Sequence, residues 1–151
     1  MKKNLSKSVI LKSARTEAQK NKMKKILKAG ICPFCPTYLE KYHDNPIEKK
    51  GKFWVVTKND YPYEGSRYHY LFISKKHVEH IEELESKAFA ELVNLIKWLT
   101  KKHKIVGGGF FMRFGDYKHT GASVTHLHAH LIVGKKKDKR KDILNVPLGY
   151  K

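Results

Sequence analysis

The stretch THLHAHLIVG, Thr125 to Gly134, constrains this chain more than any other. It places His126, His128 and His130 two residues apart, with Leu127, Ala129 and Leu131 alternating with them. On a β-strand, side chains at i, i+2 and i+4 share a face. A strand over Val124–Val133 therefore lines up three imidazoles on one face and packs an apolar set on the other. Such a row can supply a nucleophile, hydrogen-bond donors to an anion, or metal ligands. Neighbouring imidazoles disfavour simultaneous protonation, so neutral, nucleophilic forms persist near neutral pH. Spacing alone does not separate a nucleophile from a ligand.

The remaining pattern predicts one α+β domain. Lys52–Thr57, Arg67–Ser74 and Phe110–Phe114 are rich in aromatic and β-branched residues and read as strands. In Arg67–Ser74, Tyr68, Tyr70 and Phe72 take one face, and His69, Leu71 and Ile73 the other. Asn59 to Ser66 reads as a loop. One long helix is predicted over Val78–Lys104, where Ile81, Leu84, Ala88, Leu92, Leu95, Ile96 and Leu99 recur at three- and four-residue steps. The glycines Gly107–Gly109 close it. Residues 1–30 read as a basic helical extension with a thin stripe of Met23, Ile26 and Leu27, ended by Gly30 and Pro33. Strands and helices that do not alternate strictly imply an antiparallel sheet.

No apolar run approaches the roughly 18–20 residues of a membrane span, and Val9–Leu11 is too short for a signal-peptide core. A cytoplasmic protein with no membrane partner is expected. The net charge of +18 arises from 32 basic and 14 acidic side chains. It concentrates between Met1 and Lys28 and in KKKDKRK, Lys135 to Lys141. Such charge suits nucleic acid or another polyanion, or a solvated lysine-rich surface. Lysine outnumbers arginine, whereas phosphate clamps favour arginine. Cys32 and Cys35, in CPFC, are a metal half-site, a redox pair or a coincidence.

The segment HLHAHLI resembles the signature of the histidine-triad superfamily, His-apolar-His-apolar-His-apolar-apolar. Around it, GASVTHLHAH is similar to the family's Gly-x-Ser-x-x-His-x-His-x-His, with Gly121 and Ser123 in place. YLFISKKHV resembles Leu-Ile-x-Pro-Lys-x-His, with Ser74 where proline is commonest, and TKNDYP matches an Asn-x-x-Pro loop through Asn59 and Pro62. The resemblance runs from Ile31 to Gly134. It leaves a basic extension (1–30) and a basic tail (135–151) outside a triad domain (31–134). It implies a sheet of about five antiparallel strands with one long helix packed on it.

The resemblance also implies chemistry. His128 would attack the α-phosphorus of a nucleotide, giving a nucleotidyl-histidine intermediate that water or another acceptor resolves. His130 would bond the phosphoryl oxygens or leaving group, Ser123 and Gly121 would stabilise developing charge, and Asn59 would hold the ribose. Phe53 or Trp54 could wall the base. Arg113 stands where many members carry Asn and could bind phosphate; Lys118 and His119, in a longer loop, could touch a polyphosphate chain. One branch pairs CxxC with two histidines as a structural zinc site, here Cys32, Cys35, His77 and His126, with His80 and His43 as rival ligands. The implied activity is hydrolysis or nucleotidyl transfer on dinucleoside polyphosphates or nucleoside phosphoramidates by a homodimer. The alternatives are aprataxin-like deadenylation of nucleic-acid ends, with the basic segments on the backbone, and a non-catalytic zinc-stabilised nucleotide- or nucleic-acid-binding module. Uridylyltransferases of the superfamily end the motif in Gln, so His130 weighs against that branch.

Overall fold

The computed structural model describes residues 8–139 and 142–151; the first seven residues of the basic head, with Arg140 and Lys141 of the second basic cluster, lie outside the described residues. Five strands form one sheet: β1 (Ile47–Lys50), β2 (Trp54–Lys58), β3 (Ser66–Ser74), β4 (Gly109–Arg113) and β5 (His128–Gly134). Their order is β1-β2-β3-β5-β4, and every pairing is antiparallel. The α+β architecture and the five-stranded sheet are those expected.

Strand alternation sorts the sheet into two unlike faces. One carries Trp54, Val56, Tyr70, Phe72, Ala129 and Leu131, which pack under α3 (Ser86–Lys102) against Ala88, Leu92, Leu95 and Leu99. The indole N–H of Trp54 donates to Ala88 O at 2.7 Å, so the buried ring leaves no unmet donor. Glu91 on α3 accepts the backbone N–H groups of Lys52, Phe53 and Trp54 at 2.6, 2.7 and 3.0 Å. This tether needs Gly51, where a Cβ would lie 2.5 Å from the Glu91 carboxylate.

The opposite face carries Val55, Leu71 and Ile73, covered by Leu39 of α2 (Pro36–Tyr42) and by Phe34. Helix α1 (Glu17–Ala29) adds a small cluster of Met23 and Ile26 with Val9. The Thr16 hydroxyl caps α1 by accepting from Gln19 N–H, and Gly30 ends it at φ +65°. Residues before α1 are stitched to the triad loop: Ile10 N–H donates to Ser123 O and Thr125 N–H to Ser8 O, both at 2.8 Å.

Two boundaries differ from expectation. The predicted helix over Val78–Lys104 begins only at Ser86. The Val78 and Glu79 carbonyls instead accept from Leu127 and Gly115 N–H, each at 2.8 Å, and Ile81–Glu83 form a 3₁₀ turn. Long-range partners take the hydrogen bonds a helical turn would have used. The predicted strand over Val124–Val133 begins at His128: Val124 makes an isolated bridge to Val9, and His126 sits on a bend. Two triad histidines therefore share the strand, and the third precedes it. Among the described residues no helix is long and apolar enough to cross a membrane.

Candidate active site

Cys32, Cys35, His77 and His126 converge, with one ligand atom from each within 4.8 Å of the others. Cys32 Sγ lies 3.3 Å from His126 Nδ1, Cys35 Sγ 3.3 Å from His77 Nδ1, and the two Nδ1 atoms 3.1 Å apart. A tetrahedral ion with bonds of about 2.0–2.3 Å requires donor separations of roughly 3.3–3.8 Å. The cysteine–imidazole separations of 3.3, 3.3 and 3.8 Å fall in this range, and the two imidazole nitrogens sit slightly closer than it.

The outward ring nitrogens are already engaged. His126 Nε2–H donates to Ser74 O at 2.6 Å, which leaves the Nδ1 lone pair facing the cysteines. His77 Nε2 faces Glu79 Oε1 at 3.6 Å, and that carboxylate also accepts from the Thr125 hydroxyl at 2.7 Å. Such outer partners orient metal-binding imidazoles. Burial raises the Cys32 thiol, and burial reinforced by the Cys32 charge pushes Cys35 up to about 12. Thiols held so far from ionisation become thiolates only beside a strong positive charge, as a bound metal supplies. The group could hold a metal ion. The rival ligands lie elsewhere: His80 is exposed, and His43 bonds Thr57 Oγ1 and Lys58 O at 2.9 and 2.8 Å.

His128 is buried on β5. Its Nδ1–H donates to His126 O at 2.8 Å, so neutral His128 presents its Nε2 lone pair. Burial, helped by the Arg113 charge, lowers its pKa to about 4. The ring is unprotonated near neutral pH. Phe34, from the CPFC turn, meets it edge-on at 5.0 Å.

His130 is reached by a residue outside the triad motif, on the neighbouring strand β3. His69 Nε2 lies 2.8 Å from His130 Nδ1, and Tyr63 backbone N–H donates to His69 Nδ1 at 3.1 Å. A backbone N–H only donates, so His69 Nδ1 accepts and its Nε2 carries the hydrogen. That hydrogen goes to His130 Nδ1, and neutral His130 then holds its own on Nε2. Burial lowers His69 to about 3 and His130 well below its ordinary value, so both stay neutral. Arg113 Nη1, also a donor, lies 3.3 Å from His130 Nε2. Two donors meet there, an arrangement that favours an anion between them.

His128, His130, Ser123, Gly121, Asn59 and Arg113 all line one cavity of about 270 Å³. Asn59 Oδ1 accepts Tyr61 N–H at 2.9 Å, and its amide nitrogen lies 3.1 Å from His69 Nε2. Arg113 donates to the Tyr63 hydroxyl at 2.9 Å and to Pro147 O. Phe53 and Trp54 do not reach this cavity. They belong to the α3 face, because the strand pleat directs Trp54 away from His128. Lys118 and His119 are exposed on the four-residue turn α4 (Tyr117–Thr120) and do not line the cavity. Arg15, Tyr63 and Phe34 line it without having been anticipated. The one sequence signal for His69 is its alternation with Leu71 and Ile73, on the strand that pairs with the triad.

A family model described as scavenger mRNA decapping enzyme C-term binding matches residues 31–143, most of the chain. No curated protein matches it. A histidine triad protein from Clostridium difficile superposes with a TM-score of 0.55 at 21% identity, covering 73% of this chain and 96% of its own. A HIT family hydrolase from Clostridium thermocellum gives 0.53 at 24% identity, covering 75% and 96%. A Zn-bound histidine triad family protein from Mycobacterium smegmatis gives 0.56 at 16%, covering 77% and 83%. Likeness at this identity establishes a common fold. The matched family model, the triad strand and the Cys–His group agree: the chain belongs to the histidine-triad superfamily, in the family described as scavenger mRNA decapping enzyme C-term binding, and its four-ligand group fits the zinc-binding branch.

Proposed function

We propose that the protein is a nucleotide hydrolase or nucleotidyltransferase that works through a covalent histidine intermediate. One observation carries this: His128 is held neutral, its Nδ1–H committed to His126 O, on a cavity it shares with His130, Ser123 and Arg113. In the first step His128 Nε2 attacks the α-phosphorus. A P–N bond forms as the bond to the leaving oxygen or nitrogen breaks. In the second step water, or another acceptor, attacks the same phosphorus and releases the imidazole.

His130 supplies its Nε2–H to the phosphoryl oxygen or leaving group, with His69 behind it fixing the tautomer. Arg113 and the Ser123 hydroxyl, beside Gly121, balance charge developing on the non-bridging oxygens. Asn59, on the same wall, is the proposed ribose contact.

Zinc is the proposed ion of the Cys32–Cys35–His77–His126 group, since two thiolates and two imidazoles complete its preferred tetrahedron. Bound there, it would supply structural cross-linking, with no coordination position left for substrate. The residues it would join are the CPFC turn, the segment following β3 and the bend whose carbonyl orients His128. Two unpaired thiols suit a reducing cytoplasmic setting.

Intact-protein mass spectrometry after brief incubation with diadenosine tetraphosphate or adenosine 5′-phosphoramidate tests the chemistry. A gain of one nucleotidyl group, lost in His128→Asn, is expected. An equal adduct on His128→Asn would exclude His128 as nucleophile.

A further inference from the structure

A basic leaving group departs from phosphorus only as it gains a proton, and the triad is a poor source of one. His130 Nδ1 accepts from His69, and His69 Nδ1 accepts from the Tyr63 backbone N–H. That relay ends at an amide, which gives up no proton. Both rings stay neutral near neutral pH, so His130 can bond an oxygen through Nε2–H but loses that hydrogen only as an imidazolate. Ser123 offers an alcohol, a weaker acid than a phenol.

Tyr63 carries the hydrogen that is missing. It is 6% exposed and lines the same cavity as His128 and His130. Its hydroxyl oxygen accepts from Arg113 Nη2 at 2.9 Å. A guanidinium only donates, so the phenolic hydrogen is not spent on it. Among the described residues no acceptor meets that hydrogen. The same Nη2 also donates to Pro147 O, which leaves Nη1, 3.3 Å from His130 Nε2, for a phosphoryl oxygen. Arg113 therefore holds the Tyr63 hydroxyl beside His130 with one nitrogen and faces the phosphate with another.

The hydroxyl is fixed in place from both ends of its residue. The Tyr63 carbonyl accepts from Ser66 N–H and Oγ–H at 3.1 and 2.7 Å. The ring lies within 12° of parallel to His130, and the exposed Arg15 guanidinium sits 4.3 Å above it. Lys12 and Tyr150 also line the cavity, but both are exposed and no side-chain hydrogen bond holds either among the described residues.

We infer that Tyr63 is a further catalytic residue, the proton donor to the leaving group in the His128 step. The inference rests on the proposed nucleotidyl transfer. As His128 Nε2 bonds to phosphorus, the bond from phosphorus to the leaving oxygen breaks and its electron pair stays on that oxygen. The Tyr63 proton passes to it, and it departs as a neutral hydroxyl compound. The phenolate left behind faces Arg113, whose charge favours it. In the second step the phenolate takes a proton from the attacking water as P–O forms and P–N breaks, which restores the hydroxyl.

The phenyl and 4-nitrophenyl esters of adenosine 5′-phosphate test the assignment, because phenolate needs a proton to leave well and 4-nitrophenolate does not. In Tyr63→Phe, single-turnover adduct formation should slow at least about 10²-fold for the phenyl ester and less than about threefold for the nitrophenyl ester. The variant keeps the ring and the backbone N–H, and a thermal melt checks its fold. Independently of any variant, wild type should form the phenyl-ester adduct more slowly in deuterium oxide, and the nitrophenyl-ester adduct at an unchanged rate. Adenosine monophosphate, which has no leaving group, should bind both proteins within about threefold by calorimetry. Equal slowing of the two esters, no slowing of either, no isotope effect on the phenyl ester, or lost adenosine monophosphate affinity overturns the Tyr63 role alone. Wild type that forms an adduct with neither ester overturns the nucleotidyl transfer, and the Tyr63 role with it.

Discussion

His126 serves two neighbours at once: its ring faces Cys32 and Cys35, and its carbonyl oxygen receives the Nδ1–H of His128. His69 does comparable work for His130, and its removal has a specific expected signature. His69→Ala leaves His130 free to choose either tautomer, so adduct formation should slow by about 10²-fold. His69→Gln, whose amide N–H can still donate to His130 Nδ1, should recover part of that loss. Single-turnover rates for both variants check the point; equal rates would reduce His69 to a packing residue. A pH effect follows from the same ring. Its folded pKa of about 3 lies below its ordinary 6.5, so the unfolded chain binds the extra proton. This contribution to stability is complete above about pH 6.5 and is lost as pH falls toward 3. Urea melts at pH 7 and pH 5 should therefore show a smaller drop for His69→Gln than for wild type, by on the order of 1–2 kcal/mol. The lowered carboxylate of Asp60 titrates below this window and does not confuse the comparison.

At the scale of elements, the Cys–His group joins three stretches of irregular chain that are far apart in sequence. The CPFC turn has Phe34 and the N-terminus of α2 to anchor it, and His77 lies on irregular chain between β3 and the Ile81–Glu83 turn. Elemental analysis of protein purified without chelator should find about one zinc per chain. His77→Ala and Cys35→Ser should each lose it, with the melting temperature falling by several degrees or more. Metal-free wild type with an undiminished melting temperature would end the zinc proposal. What the sequence made legible was the alternating triad, the CxxC pair and the α3 stripe, because each repeats a periodicity that local geometry imposes. Helix α3 starts eight residues later than its periodicity predicts, because the Val78 and Glu79 carbonyls accept from Leu127 and Gly115, far along the chain, while Ile81 accepts from Leu84 in a 3₁₀ turn. Strand β1, Ile-Glu-Lys-Lys, has too little apolar alternation to announce itself. Arg15 read as one charge among many. Its place over Tyr63 depends on the stitching of residues 8–10 to the triad loop, which no local pattern encodes.

For the whole molecule, two surfaces should respond to salt in opposite directions. Strand β4 lies at a sheet edge, and its Phe110, 46% exposed, packs 6.4 Å from Phe72 on the α3 face. An open edge with exposed aromatic surface invites pairing with a second copy. A homodimer joined across β4 is the expected arrangement, and Phe110→Lys should shift it to monomer, as light scattering after gel filtration would reveal. Each copy brings a net charge of +18, so like-charge repulsion opposes the dimer most at low ionic strength. An apolar interface should thus strengthen between about 50 and 300 mM salt, as screening removes the repulsion. Nucleotide binding beside Arg113 should weaken over the same range, because salt screens the attraction between its phosphate and the positive protein. Sedimentation and adenosine monophosphate titration on one salt series separate the two. A dimer that dissociates as salt rises would place ion pairs at the interface instead of Phe110, and wild type that elutes at one chain's mass throughout would remove the β4 interface.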